Sequence, residues 1–217
     1  HHRPGSVGPA DRALEIELLG AADLVISVAS ELTTWIRQFR TGPTLTQPNG
    51  FEPTWFRPTR TAPVASGDVD FPLVFLGHPK PWHGADRLVG LLVELARTGH
   101  RPKLLIIGGG TGADRVLAEA ERCDVTDQIS VTGALPPHDA TRLLGSAAIG
   151  LAPYPRQSPF YFCPLKIIDY LAAGLAVVST DQGDIADIVG GGGVVLSAAD
   201  DDMAFASAVR TLLDDDP

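Results

Sequence analysis

Apolar and polar positions follow two alternating periods along this chain. Short aliphatic runs at 24–28, 73–76, 103–107, 129–132, 149–152, 176–179 and 193–196 read as buried strands. Between them, apolar residues spaced three and four apart read as amphipathic helices over 12–19, 30–39, 85–98, 113–122, 138–146, 164–173, 185–189 and 201–213. Residues 44–47 form a further short strand, ended by Pro48-Asn49-Gly50. Regular βα alternation predicts an α/β fold with a parallel sheet. From residue 71 to residue 217 the repeats suffice for a doubly wound, Rossmann-like domain.

Residues 1–52 hold too few elements to cover their own apolar faces. Residues 53–70, rich in Pro, Thr and Ser, read as a linker. Ser30 is placed to cap the helix that follows it, and Asp200-Asp201-Asp202 to cap the last one. Pro164 is expected at the first helical position of the 164–173 helix, and Gly174 at its stop. The run Gly190–Gly193 reads as a flexible turn, because no helix follows it directly.

Composition narrows the functions. A hydrophobic content of 44% supports a sizeable core. A formal charge of -9 argues against nonspecific binding to nucleic acid or to an anionic membrane. Cys123 and Cys163 make no disulfide framework, and no Cys/His spacing suits a metal. Together these point to a reducing, cytoplasmic compartment. No apolar run approaches the roughly 20 residues of a membrane helix, and His1-His2 looks like a tag remnant or a cut edge.

The candidate chemistry falls in the turns that join strand to helix, where ligands of doubly wound sheets bind. Gly77-His78-Pro79-Lys80-Pro81-Trp82-His83-Gly84 offers close backbone approach and a cation in Lys80. Gly108-Gly109-Gly110-Thr111-Gly112-Ala113 mimics a dinucleotide fingerprint. The next strand, however, ends Val131-Thr132-Gly133, without the acidic residue that would hold a ribose, which argues against a nicotinamide enzyme. Gly133-Ala134-Leu135 follows the third strand, and Tyr154 closes the fourth between two prolines. The stretch from Tyr161 to Gly174 delivers a helix N-terminus to a strand edge, a setting suited to an anion. Lys166 adds charge in the first turn. Asp169 follows, a carboxylate able to bind sugar hydroxyls.

Tyr161-Phe162-Cys163-Pro164-Leu165-Lys166-Ile167-Ile168-Asp169-Tyr170-Leu171-Ala172-Ala173-Gly174 closely resembles a signature of family 4 retaining, nucleotide-sugar-dependent glycosyltransferases. A subgroup of that family reads Phe-Ser-Pro-Leu-Lys-Ile-Phe-Glu-Tyr-Met-Ala-Ala-Gly here. Three positions depart from it. Tyr161 stands where the family has its first Glu, Cys163 replaces a capping Ser, and Asp169 replaces the second Glu. Residues 21–30 resemble the last βα unit of the family's N-terminal domain. Pro48-Asn49-Gly50-Phe51-Glu52, with Phe56 and Pro58, resembles its interdomain crossing.

The resemblance implies the C-terminal, donor-binding domain of a GT-B fold, carrying a remnant of the N-terminal acceptor domain, so a fragment is expected. It further implies sugar transfer from a nucleoside diphosphate sugar with retained configuration and no obligatory metal or other cofactor. The donor-binding positions it marks are Gly77, Lys80, His83, Gly108, Gly109, Gly110, Leu135, Tyr161, Leu165, Lys166 and Asp169. The catalytic residue and the acceptor stay open, and any membrane contact would come through the missing half. Two other readings remain at this level: a nucleotide-sugar epimerase on the same fold, and a non-catalytic nucleotide-sugar-binding or scaffold module.

Overall fold

The computed structural model describes residues 8–56, 69–190 and 194–215. Residues 57–68 of the expected linker, the glycines 191–193 and His1-His2 lie outside the described residues. The chain forms two compact units. Residues 1–49 together with 159–163 make the first, and residues 50–158 with 164–217 the second.

The first unit contains helix α1 (Pro9–Ala21), strand β1 (Val25–Ser27), helix α2 (Ser30–Ile36) and strand β2 (Thr44–Thr46). β1 and β2 pair in parallel, from Val25↔Thr44 to Ser27↔Thr46. A hydroxyl chain joins α2 to both strands. Thr33 Oγ1 lies 2.6 Å from Ser27 Oγ and 2.5 Å from Thr46 Oγ1. Ser27 Oγ donates to Ala29 O, which sets the direction of the whole chain of hydroxyls. The expectation of a buried strand at 24–28 is corrected: Leu24 and Ile26 are 51% and 59% exposed, because two strands and their helices cover little of the sheet. Ser30 is the first helical residue rather than the cap, and Ala29 occupies the cap position. Phe160 N donates to Glu31 Oε2 at 2.8 Å, which ties residues 159–163 to α2.

The second unit is a six-stranded parallel sheet. Its strands are β3 (Leu73–Leu76), β4 (Leu104–Ile107), β5 (Ile129–Val131), β6 (Ile149–Ala152), β7 (Ala176–Thr180) and β8 (Val194–Ser197). Helices α3 (Arg87–Arg97), α4 (Thr111–Arg122), α5 (Pro137–Leu144), α6 (Leu165–Ala172), α7 (Ile185–Val189) and α8 (Asp202–Asp214) alternate with them. The spatial order β5-β4-β3-β6-β7-β8 is the doubly wound order, with its reversal between β3 and β6. Leu73, Phe75, Leu88, Leu92, Leu104 and Ile106 are fully buried in the core between sheet and helices. Asp201 caps α8 by accepting from Ala204 N at 2.8 Å, as its sequence position predicts. α6 starts one residue later than expected, with Pro164 as its cap and Leu165 as its first residue. Gly174, at φ 76°, ends it.

At the reversal, β3 and β6 pair only at Leu73↔Ile149 and Val74↔Gly150. Beyond that point Tyr170 of α6 fills the gap. Leu76 N donates to its hydroxyl at 2.8 Å, and the hydroxyl donates to Leu151 O at 3.1 Å. The Tyr170 ring lies so close that a Cβ on Gly150 would sit 2.5 Å from it. Gly150→Ala is therefore expected to destabilise the second unit by about 1–3 kcal/mol, the range for overpacking. Tyr170→Phe should cost about 1–3 kcal/mol by leaving the Leu76 N–H without its acceptor. Urea unfolding measures both; wild-type stability in Gly150→Ala would show that the ring is free to move aside.

Candidate functional site

Three βα turns of the second unit meet at the C-terminal edge of its sheet. Gly77, at φ 103°, donates its N–H to Ile107 O at 2.8 Å. Gly108, at φ 149°, lies against that turn, and a Cβ there would sit 2.4 Å from Gly77 O. Gly108 also bridges to Gly133 in the third turn. Gly77, Gly108, Gly109 and Gly110 are thus brought together, with α4 starting directly after Gly110. Leu135 follows two residues beyond Gly133 and is half-buried.

The turn from Gly77 to Gly84 is pressed against the loop after β6. Gly84 has φ 70°, and a Cβ there would fall 1.8 Å from Pro153 O. That loop is held by several hydrogen bonds. Tyr154 O accepts from Thr180 Oγ1 at 2.8 Å, from Gln182 Nε2 at 3.1 Å and from Arg87 Nη1 at 3.2 Å. Gln182 Oε1 accepts from Gln157 N at 2.7 Å, and Gln157 Nε2 donates to Trp82 O at 2.9 Å. Arg87 is itself paired with Asp202 of α8. The Tyr154 ring, fixed in this way, is buried.

Lys166 sits in the first turn of α6 and is buried. Its Nζ lies 3.9 Å from the centroid of the Phe75 ring and 5.2 Å from that of Tyr154. It has no hydrogen-bond partner among the described residues. Desolvation brings its pKa down to about 7. His83 packs edge-on to the Tyr154 ring, with the two ring centroids 6.4 Å apart. Burial first, and then the Lys166 charge, bring its pKa down to about 4, against the opposing bond of Nδ1 to His78 O at 2.9 Å. Asp169, one turn along α6 from Lys166, has its carboxyl pushed up to about 6 by burial.

The remaining expected residues lie in other settings. Leu165 is 50% exposed at the start of α6. Lys80 is exposed and lines a cavity of about 720 Å³ between α3 and α4, which none of the other expected donor residues line. Tyr161 belongs to the first unit, half-buried and edge-on to Phe162. Among the described residues no group of three His, Cys, Asp or Glu is placed to hold a metal ion. Phe75, Arg87 and Gln182 are additions that sequence reasoning missed. Phe75 reads as ordinary strand core, and the roles of Arg87 and Gln182 depend on backbone carbonyls, which leave no mark in residue type.

Glycine turns that converge after β3, β4 and β5, with a buried lysine in the first turn of α6, lie at the edge of a doubly wound sheet where ligands of such folds bind. The pattern of the glycosyl transferases group 1 family matches residues 71–215, and the chain belongs to that family. It is 27% identical over 220 residues to a glycogen synthase of Mycobacterium tuberculosis, covering 97% of this chain and 50% of that one. It is 31% identical over 144 residues to a human phosphatidylinositol N-acetylglucosaminyltransferase component, covering 65% of this chain and 28% of the relative. The chain therefore spans half or less of the length of these relatives. Among solved structures, a sucrose-phosphate synthase of Thermosynechococcus elongatus superposes with a TM-score of 0.75 at 21% identity, over 99% of this chain and 55% of that one. The HepE protein of Anabaena, crystallised with UDP-glucose, superposes with 0.72 at 18% identity, over 96% and 59%. The fold is that of the C-terminal half of such glycosyltransferases, as the resemblance implied. No helix among the described residues is long and apolar enough to cross a membrane.

An unpaired buried ammonium opposes folding. With a folded-state pKa near 7 against an ordinary 10.5, the folded chain binds fewer protons than the unfolded chain between those values. The destabilisation is complete below about pH 7 and fades as pH rises toward 10.5. Lys166→Met is accordingly expected to stabilise the chain by roughly 1–4 kcal/mol at pH 6. Its gain in Tm over wild type should shrink toward pH 10. A loss of stability at every pH would mean that the ammonium has a partner in the folded chain.

Proposed function

We propose that this chain is the donor-binding half of a retaining glycosyltransferase, which moves a sugar from a nucleoside diphosphate sugar to an acceptor bound elsewhere. The observation that carries this reading is Lys166, a buried ammonium with no counter-ion among the described residues, at the start of α6 and beside the reversal between β3 and β6. In this reading an arriving diphosphate supplies the missing charge, assisted by the α6 N-terminus and by Lys80. Asp169 chelates the ribose hydroxyls. Gly108, Gly109 and Gly110 wall the cleft, and backbone groups near Leu135 meet the base. Leu165 offers its exposed N-terminal position to the phosphates. Tyr161 stands at the position of the family's first Glu and cannot supply that residue's charge. The leaving diphosphate is stabilised by these fixed positive groups, so no metal is required. Family membership over residues 71–215 and the fold shared with HepE, crystallised with UDP-glucose, support a nucleotide-sugar donor.

Thermal shifts with UDP, GDP, ADP and dTDP, with and without magnesium, test this reading. A ligand at about 100 times its Kd adds about 2.7 kcal/mol, which raises Tm by several degrees in a chain of this size. One nucleotide is expected to shift Tm equally with and without metal. The pH dependence has a defined sign. Asp169 serves hydroxyls only when ionised, above about pH 6. Lys166 serves phosphate only when protonated, below about pH 7. Affinity measured by calorimetry should therefore peak between these values and fall on either side. A flat profile from pH 5 to pH 9 would remove both residues from the ligand.

A further inference from the structure

The protonation of His83 is decided by its neighbours. A carbonyl oxygen only accepts, so the 2.9 Å contact between Nδ1 and His78 O places a proton on Nδ1. The ring is then either a cation with N–H on both nitrogens or a neutral ring whose Nε2 carries a lone pair. Burial and the Lys166 ammonium both oppose the cation, so the neutral ring prevails at physiological pH. Nε2 has no hydrogen-bond partner among the described residues.

A lone pair of this kind repels an ionised phosphate, which offers oxygen acceptors and no proton. It suits a hydroxyl. Lys166 and His83 both lie against the Tyr154 ring, with Nζ at 5.2 Å and the imidazole at 6.4 Å from its centroid. The Lys166 charge also reaches the imidazole and opposes its protonation, so the cation and the acceptor are electrostatic neighbours with opposite demands on a ligand. Lys166 requires an oxyanion, and His83 requires a hydrogen-bond donor close to it. A glycosyl diphosphate presents this juxtaposition, with charged oxygens adjoining a ring of hydroxyls.

We propose that His83 is a specificity-determining residue whose Nε2 accepts a hydroxyl of the donor sugar, so that it reads the sugar while Lys166 holds the diphosphate. The inference rests on the donor-site reading above. It differs from that reading in giving His83 no part in phosphate binding.

The test compares His83→Asn and His83→Gln with wild type in the full chain. Each is titrated calorimetrically with UDP and with whichever of UDP-glucose, UDP-galactose or UDP-N-acetylglucosamine wild type binds most tightly. Asn keeps an amide in place of Nδ1, and with it the bond to His78 O, but removes the acceptor at Nε2. Its affinity for UDP should stay within about twofold of wild type, while that for the UDP-sugar falls about tenfold, the loss of one net hydrogen bond. Gln places an amide oxygen near Nε2 and should recover part of that loss. An equal loss for UDP and UDP-sugar in both variants would overturn the proposal and make His83 a phosphate ligand. Unchanged affinity for both ligands would overturn it and leave His83 a turn residue. Failure of wild type to bind any of these probes would overturn the donor-site reading, and this inference with it.

Discussion

Everything at the candidate site depends on the way β3 and β6 part company. Parallel strands that stayed paired would close the crevice, and strands that parted unaided would leave buried backbone groups unsatisfied, at a cost of about 1–3 kcal/mol each. Tyr170 resolves this by placing a hydroxyl between them, accepting from Leu76 N and donating to Leu151 O. Its buried phenol is pushed well above its ordinary pKa, so it stays neutral and can do both. The ring needs the space that Gly150 leaves by having no side chain. One turn earlier on the same helix, Lys166 is buried against the rings of Phe75 and Tyr154. Tyr170, which fills the gap between the strands, and the buried Lys166 are therefore fixed by a single helix.

Lys166 illustrates a conflict between stability and binding. An ammonium over two aromatic faces gains some cation–π attraction, roughly 0.5–2 kcal/mol. That is less than the several kcal/mol that burying an unpaired ion costs, which is why its pKa falls to about 7. Such a group is poorly placed for a chain selected only to fold. It is well placed for an anion, because the desolvation has already been met and the charge acts in a medium of low polarity. Burial likewise pushes the Asp169 carboxyl up to about 6.

Much of this was legible in the residues, and the limits have physical causes. The βα alternation, the doubly wound order, the Gly174 stop and the Asp201 cap follow from period and from local backbone chemistry. The stretch 161–174 carried the family resemblance because its spacing of Lys, Asp and Gly is local. Burial in the first unit was misjudged, since Leu24 and Ile26 have the pattern of a buried strand while their exposure depends on what else the sheet packs against. Ser30 stands one residue inside the cap position, which Ala29 holds, because helix ends read from residue type shift by a residue or two. The environment of Lys166 was beyond reach. Nothing local says that Phe75 and Tyr154, far apart in sequence, lie against the same ammonium.

The loop that carries Tyr154 shows how the chain fixes such an environment. Its carbonyl oxygens take donors from Arg87, Thr180 and Gln182, which belong to different elements. Two of these donors are neutral, so the loop is held with little added charge near Lys166. A cluster of acidic side chains would have held it equally well. It would also have supplied Lys166 with a permanent counter-ion, raised its pKa and removed its need for a ligand. Holding the aromatic wall by backbone carbonyls keeps the ammonium unpaired and the wall in place together. Gln157 extends the same device to Trp82, so the turn that carries His83 and the loop that carries Tyr154 are held by one connected network. Preorganisation of this kind lowers the cost of ordering a site, because its walls need not move to meet a ligand.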